Sequence, residues 1–368
     1  MPELTIRRGR FWFSVAITLC LGACGGGGSS GGNPPGGGGP GDTWLIPVNE
    51  IVDGGPGRDG IPSIDNPAFE PIANNIDVGD DDLVIAIQAG ADIKVYPHDI
   101  MDWHEVVNDV GATANDPFML SYCPLTGSAI AWDVDETLAD STFGVSGRLF
   151  NSNLILFDRE TSSFWVQMME LAVNGERIND VPDRLQVIET TKSTIRTMYP
   201  NAMILTRNTG FTRDYDDYPY GSYRQDPDLL FPVANSDSRL HPKTRVLGVR
   251  LGNQVKAYQL DGFGDTTLAV QDQVGGRSIV VVGNTAENYA VAYDRELADG
   301  TILNLTAFSG ADPVNVLQDD EGNVWNIWGT AVSGPRSGQQ LQAITAYTAY
   351  WFALAAFYTE VAVYFNPT

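Results

Sequence analysis

Short runs of apolar residues with polar residues between them dominate the chain after residue 82. Residues 83–87 and 93–96 are two such runs, and residues 88–92 between them carry the glycine and aspartate of a tight turn. Residues 246–251 and 255–258 flank a Gly-Asn pair in the same way. The pattern predicts β-hairpins and a mainly β (α+β) fold. Further runs of β type are residues 118–122, 129–134, 153–157, 164–168, 278–282 and 289–293.

The apolar pattern of the first half recurs in the second half. Residues 94–96 (Lys-Val-Tyr) match residues 256–258 (Lys-Ala-Tyr) at an offset of 162, and residues 185–188 match residues 341–344 at an offset of 156. Repetition at a nearly constant offset predicts an internal duplication. We therefore expect two pseudo-symmetric β-rich units, each with one or two short helices.

The most apolar segment lies near the C-terminus. Residues 341–359 contain no charged residue and are long enough to span a bilayer. Their counterpart in the first unit, residues 185–205, carries Lys192 and Arg196, which a bilayer span would not carry. Both segments therefore predict a strand, a helix and a strand, and the second helix, at about residues 346–357, is apolar on all sides and hence buried.

The N-terminus has the pattern of an export signal. Arginines between residues 7 and 10 precede the apolar residues 11–21, and the Leu-Gly-Ala-Cys string ending at Cys24 matches a bacterial lipobox. We expect cleavage before Cys24 and lipidation of its sulfur, with an ordinary signal peptide as the alternative. Gly25 favours the outer membrane of a bacterial cell envelope, on its periplasmic or surface face. Residues 25–41, rich in Gly, Ser, Asn and Pro, predict a flexible tether.

These patterns divide the chain into six predicted parts. They are a signal peptide (1–23), a lipidated cysteine and glycine-rich tether (24–41), an N-terminal segment (42–82), a first unit with the candidate site (83–205), an Asp- and Tyr-rich connecting excursion (206–245) and a second, degenerate unit (246–368).

The formal net charge of −24 limits the classes of partner. A negative field of this size repels nucleic acid and anionic lipid. We therefore expect no nucleic-acid partner, and contact with a membrane only through the lipid anchor.

Cys123 is the only cysteine of the predicted folded body, and it begins a Cys-Pro-Leu-Thr string. Without a second cysteine, its thiol is either packed inside the protein or a reactive centre. In the reactive case His104 is the acid/base, and Glu105 or Asp102 orients it. Thr126 would donate a hydrogen bond to a thiolate of lowered pKa. Regeneration would then require an external thiol reductant as partner.

The second unit lacks these groups. Residues 282–285, which match the Cys123 region, contain no thiol, and residues 262–264, which match residues 103–105, contain no histidine. The comparison places the candidate active site in the first unit.

Six strings of the chain stand out together, at residues 60–67, 103–109, 122–129, 143–147, 151–153 and 158–161. With these strings the chain resembles the bacterial domain-of-unknown-function family 3179, and the similarity runs from about residue 54 to the C-terminus. Many members of that family carry Cys-Pro-Leu-Cys, or selenocysteine at one of those positions, so the resemblance implies redox use of the turn. Here Thr126 replaces the second cysteine, and residues 169–172 stand where the family usually has Thr-Gly-Glu-Ala.

A soft-metal site is a second hypothesis. His98, Met101 and His104 recur every three residues on a predicted short helix, and Cys123 would complete a set suited to copper. Against it, His98 follows Pro97 and is expected at the surface.

Ligand binding is the third hypothesis. Ser146, Asn151 and Asn153 are suited to line a pocket, and Arg213 in the excursion is suited to cover a cleft between the units. The alternatives are that the glycines of residues 143–153 form strand bulges and that the excursion is a solvated loop.

The leading hypothesis is a membrane-anchored envelope protein with a single-cysteine thiol redox or thiol-transfer site. The alternative is a non-catalytic lipoprotein that binds a ligand or partner and packs its cysteine inside. The sequence indicates no cofactor and leaves open whether the protein is an enzyme.

Overall fold

The computed structural model describes residues 43–113, 116–134, 138 and 141–365. The predicted signal peptide, the lipidated Cys24 and the tether lie outside the described residues. None of the helices in the described part has the length and apolar character that a bilayer span needs.

The strands before residue 206 are short and largely buried. They are β1 (Ile51–Asp53), β2 (Phe69–Pro71), β3 (Leu83–Ala89), β4 (Asp92–Pro97), β5 (Val106–Val110), β6 (Pro117–Cys123), β7 (Ser128–Asp133), β8 (Phe143–Phe150), β9 (Asn153–Asp158), β10 (Phe164–Val166), β11 (Leu171–Asn174), β12 (Arg184–Leu185), β13 (Val187–Thr191) and β14 (Met203–Leu205). Helices α1 (His98–His104) and α2 (Lys192–Met198) follow β4 and β13.

The strands of the second half are similar in length. They are β15 (Arg245–Leu251), β16 (Gln254–Gln259), β17 (Leu268–Val274), β18 (Arg277–Asn284), β19 (Tyr289–Asp294), β20 (Leu305–Ala307), β21 (Asn315–Asp319), β22 (Val324–Asn326), β23 (Ala331–Ser333), β24 (Ala346–Tyr350) and β25 (Ala362–Tyr364). Helix α3 (Trp351–Phe357) lies between the last two. The predicted mainly β class is confirmed.

Two sheets of the two halves have the same strand order. In the first half the order is β13-β3-β4-β14-β2, and β14 runs parallel to β4 after α2. In the second half it is β24-β15-β16-β25, and β25 runs parallel to β16 after α3. The internal duplication stays a prediction, which this shared order supports.

The other sheets are built from antiparallel neighbours. Those of the first half have the orders β1-β8-β9-β10-β11 and β12-β7-β6-β5, and those of the second half β17-β18-β19 and β20-β21-β22-β23. The register of β8 against β9 shifts between Val145 and Arg148, which is a β-bulge. The sequence left open whether the glycines of this segment form a strand bulge, and the structure shows that they do. Gly147 lies in the bulge with a φ of 78°.

The two halves share their hydrophobic cores. One cluster joins Trp132 and Trp165 of the first half to Tyr347 and Trp351 of the second. The sequence places a helix over residues 346–357, but residues 346–350 form β24, because their backbone pairs with β15. Helix α3 begins only at Trp351, and its first six residues are buried as predicted.

Residues 206–244 contain no helix or strand in this described stretch, yet they are not a solvated loop. Tyr215 and Tyr223 are buried among residues of the first half and of α3. The segment of residues 206–245, which we call the excursion, therefore packs as irregular but anchored structure.

Candidate functional site

The Cys123 thiol lies at the end of β6, in a tight turn. The backbone N–H of Gly127 donates to the Cys123 carbonyl at 2.8 Å, which closes the turn. The side chain is 1% exposed. Burial raises the thiol pKa to about 11, the nearby Glu105 carboxyl raises it too, and hydrogen bonds with Thr126 oppose this rise without outweighing it. The prediction of a lowered thiol pKa is therefore wrong, because the turn is buried instead of exposed.

His104 ends α1, and both of its ring nitrogens have partners other than the thiol. Nδ1 lies 2.8 Å from the Pro62 carbonyl oxygen and Nε2 lies 2.7 Å from the Tyr215 hydroxyl. Burial lowers the imidazole pKa, so the ring is neutral at pH 7. The structure thus does not give His104 the predicted acid/base contact with Cys123.

Thr126 lies beside the thiol, as predicted, but belongs to a buried polar network. Its hydroxyl is 2.8 Å from the Ser128 hydroxyl and accepts from the Asn153 amide at 3.1 Å. The Asn153 amide also donates to Gln167 at 2.7 Å, and its oxygen accepts from the Met168 N–H. These bonds hold the turn on its buried side and engage both polar atoms of the Asn153 side chain within the protein.

Ser146 and Asn151 are also engaged by the protein. The Ser146 hydroxyl donates to the Ile155 carbonyl across the bulge. The Asn151 side chain accepts from the Ala234 N–H at 2.8 Å and donates to the Ala356 carbonyl at 3.3 Å. Ser146 therefore braces β8 against β9, and it also lines a cavity of about 830 Å³ together with Arg58 and Arg148. Asn151 instead joins the β8–β9 turn to the excursion and α3.

The copper set is not assembled. His98 is buried instead of lying at the surface, and its Nε2 is 3.3 Å from a Glu189 carboxylate oxygen. His104 faces Pro62 and Tyr215. Among the described residues no group of three or more His, Cys, Asp or Glu is arranged to hold a metal ion.

Glu105 and Arg213 are brought together at a cavity of about 730 Å³, which we call the Glu105 cavity. The cavity wall combines the N-terminal segment, α1, β8, β9 and the excursion. Most of its lining is apolar, including Ile61, Leu125, Val145, Leu149, Leu154 and Phe231.

Glu105 reaches this cavity through an unusual backbone conformation. It follows α1 with a φ of 58°, a left-handed conformation that is rare for residues other than glycine. Its N–H donates to the Met101 carbonyl at 2.9 Å and its carbonyl accepts from the Tyr122 N–H at 2.8 Å. The side chain accepts a hydrogen bond from the Tyr220 hydroxyl at 3.1 Å. Main-chain bonds therefore hold the strained residue in place.

Burial also sets the charge of Glu105. The side chain is almost fully enclosed, and this burial raises the carboxyl pKa to about 8; the Tyr220 hydrogen bond lowers it and the Asp102 charge raises it. The group is consequently a neutral carboxylic acid at pH 7, able to donate as well as accept a hydrogen bond.

Residues of the excursion form hydrogen bonds with Asp102, Trp103 and His104 at the end of α1. Arg224 donates to both carboxylate oxygens of Asp102, at 2.6 and 2.7 Å. Burial raises the Asp102 pKa to about 7, against the effect of Arg224. The Trp103 indole donates to the Asp217 carbonyl at 3.1 Å. The predicted orienting role of Asp102 toward His104 is replaced by this pairing with the excursion.

Sequence reasoning missed three residues of the site: Tyr220, Arg224 and Arg148. The first two lie in the excursion, where tyrosines cluster at positions 218, 220 and 223. Arg148 follows the Gly-x-Ser-Gly string of β8 and lines the Glu105 cavity. The tyrosine cluster was the available signal in the excursion, whereas the local sequence around Arg148 gives none.

A sequence model of the family described as Protein of unknown function (DUF3179) matches residues 58–361. No curated protein and no solved structure matches the chain. The match covers the first half from Arg58 onward, the whole excursion and the second half as far as Val361.

Proposed function

The chain belongs to the DUF3179 family, which is described only as protein of unknown function, and we propose that it binds a small, largely apolar molecule in the Glu105 cavity. The observation that carries the proposal is the buried Glu105 carboxyl group facing a largely apolar cavity of about 730 Å³. Ligand sites in proteins are mostly apolar cavities of this size, with a few well-placed polar groups.

The strain at Glu105 supports a functional role for its side chain. A non-glycine residue in the left-handed region costs on the order of 1–3 kcal/mol, and such residues cluster at functional sites. Burying a carboxyl adds a further cost unless it is hydrogen-bonded. The chain thus keeps a strained residue with a buried carboxyl group in the wall of the cavity.

The protonated carboxyl defines the complementary group. It can donate to a carbonyl, ether or hydroxyl oxygen of a ligand while it accepts from Tyr220. Aromatic and aliphatic side chains around it would contact the rest of the ligand. We therefore assign Glu105 the role of orienting a bound molecule, with Arg213 near its polar end.

In this proposal Cys123 is a packing residue behind the cavity wall. A thiol with a pKa of about 11 is almost entirely un-ionised at pH 7 and is a poor nucleophile. The competing proposal is a thiol redox or transfer site. It is favoured by the position of the thiol, because Thr126 contacts it and the neighbouring Leu125 lines the cavity.

We also propose that this body is held at a bacterial envelope membrane by a lipid on Cys24. The support is the lipobox and the glycine-rich tether in the sequence. Such an anchor would place the Glu105 cavity close to a source of apolar molecules.

The proposal is tested by fluorescence titration with N-phenyl-1-naphthylamine, a neutral apolar probe. The full chain carrying Cys24→Ser is used, so that no lipid competes for the cavity. We expect saturable binding, weakened by Leu149→Trp, which fills the cavity, and unchanged by Ile76→Trp, which lies on the surface. Equal binding by both variants, with both remaining folded, would show that the probe binds elsewhere.

A further inference from the structure

Most arginines in the described part of this protein have a carboxylate partner. Of the fifteen arginines in the described part of the chain, eleven lie within ion-pair distance of an Asp or Glu. The net charge of −24 makes such pairing easy to achieve. The exceptions are Arg58, Arg148, Arg213 and Arg295.

Three of these exceptions lie in two adjoining cavities. Arg148 and Arg213 line the Glu105 cavity. Arg58 and Arg148 line a second cavity of about 830 Å³, which we call the arginine cavity. Gly147 and Arg148 belong to both linings, so Arg148 stands where the two cavities meet.

The carboxylates beside these arginines form no ion pair with them in the described part of the chain. Asp53 is the cross-strand neighbour of Arg148 and lines the arginine cavity with it, and its Oδ1 accepts from the Gly55 N–H at 2.9 Å. Asp214 lines the Glu105 cavity and accepts from the Asp216 N–H at 3.2 Å. The positive charge of the arginines is therefore not neutralised by an ion pair within the described residues.

Aromatic rings hold the arginines in place instead. The Arg58 guanidinium lies 3.9 Å from the centroid of the Phe157 ring, and that of Arg148 lies 4.9 Å from the Phe164 ring. Stacking of this kind uses the flat face of the guanidinium and leaves its N–H edge available for an oxyanion. Arg58 directs one N–H to the Ser162 hydroxyl at a long 3.4 Å, which engages only part of that edge.

We infer that the ligand of the Glu105 cavity is an amphipathic organic anion. This inference rests on the proposed function and adds the chemical class of the ligand. The apolar body would fill the Glu105 cavity, and a carboxylate, sulfonate or phosphate head would bind Arg148 at the junction with the arginine cavity. Arg58 and Arg213 would add positive charge on either side of that head.

The test compares two probes with the same aromatic body. N-phenyl-1-naphthylamine is neutral, and 8-anilinonaphthalene-1-sulfonate adds one sulfonate to it. A hydrogen bond to a charged group contributes roughly 1.5–3 kcal/mol, which corresponds to about a tenfold to hundredfold change in affinity. We expect the full chain with Cys24→Ser to bind the sulfonate probe at least about tenfold more tightly than the neutral one.

Arg148→Gln is expected to remove this preference. The affinity for the sulfonate probe should fall about tenfold, while that for the neutral probe changes less than about twofold. Arg196→Gln is the matched control, because it removes the same charge from an ion pair with Asp80 outside both cavities. Near-UV circular dichroism checks that each variant is folded, since the sulfonate probe also binds loosely packed states. Arg58→Gln serves as the second variant if Arg148→Gln does not fold.

The outcomes separate the two claims. Binding of the neutral probe with no preference for the sulfonate, or an equal loss in Arg148→Gln and Arg196→Gln, overturns the anion inference and leaves the proposed function standing. Sulfonate binding that depends on Arg148 without any neutral-probe binding retains the anion site and overturns the apolar-cavity proposal. Binding of neither probe overturns both.

Discussion

The Nε2 atom of His104 lies 2.7 Å from the hydroxyl oxygen of Tyr215, and this hydrogen bond joins the end of α1 to the excursion. The other ring nitrogen contacts the Pro62 carbonyl at 2.8 Å. One neutral imidazole thus connects three segments that are far apart in sequence. The residue predicted to act on the thiol is in fact a structural link.

His104→Gln is expected to reduce the acid sensitivity of the fold. Burial lowers the folded-state pKa of His104, so below about pH 6.5 the unfolded chain binds a proton that the folded chain does not. This group therefore lowers stability as the pH falls through that value. Relative to wild type, the variant should be more destabilised at pH 7 than at pH 5 in urea unfolding. His241→Gln, at an exposed histidine, is the control; an unchanged difference at both pH values would contradict the prediction.

Cys123 is expected to resist alkylation in the native protein. Because burial raises the thiol pKa to about 11, iodoacetamide should label it at neutral pH only once denaturant is added. The rate should be the same in His104→Gln, since the imidazole does not contact the thiol. Rapid native labelling with an apparent pKa below about 8.5 would instead favour the thiol-chemistry proposal.

Glu105→Gln is expected to stabilise the protein at alkaline pH. The folded-state pKa of about 8 is above the usual carboxyl value, so wild-type stability falls as the pH rises from about 4.5 to 8. Each pKa unit corresponds to about 1.4 kcal/mol, so the variant should gain a few kcal/mol at pH 9 relative to pH 5. Thermal unfolding at both pH values measures this. Glu176→Gln, at an exposed position, should show no such gain.

Arg224→Gln is expected to destabilise the protein in a pH-dependent way. At pH 8 Asp102 is ionised beside Arg224, and without this partner the buried carboxylate must stay charged or take up a proton, at a cost of about 1–3 kcal/mol given that Arg224 is partly exposed. At pH 5 Asp102 is protonated, because its pKa is about 7, so the loss should be smaller. Arg196→Gln, which breaks an exposed ion pair, should cost less than about 1 kcal/mol at either pH. Equal costs for the two variants at pH 8 would be inconsistent with a buried pair.

Local patterns were sufficient to predict much of the fold. The alternation of residues 83–96 around a turn predicts the β3–β4 hairpin, and the structure pairs Val84 with Pro97 and Ala89 with Asp92. The start of α3 could not be predicted from the local pattern of apolar and polar residues. Residues 346–350 are as apolar as the helix that follows, and only their pairing with β15 makes them a strand.

The candidate site was predicted less well, because its properties arise from distant contacts. The string around Cys123 is typical of an exposed redox turn, but Tyr350 packs against Gly127 and Tyr223 donates to the Leu125 carbonyl. Tyr350 lies about 225 positions, and Tyr223 about 100 positions, further along the chain. Burial of the thiol, and with it the rise of its pKa, follows from packing that no local spacing encodes.

At the junction between the two cavities, one side is main chain and the other is a side chain. Gly147 has a φ of 78°, and the Gly57 backbone lies 2.6 Å from the place where a Cβ atom would stand, so this side of the junction is main chain held in the β8 bulge. The other side is the exposed Arg148 side chain. Exposed side chains change rotamer in picoseconds to nanoseconds, whereas strand backbone moves far more slowly. Exchange between the two cavities would therefore require only that the Arg148 side chain leave the Phe164 ring, without any opening of the sheet.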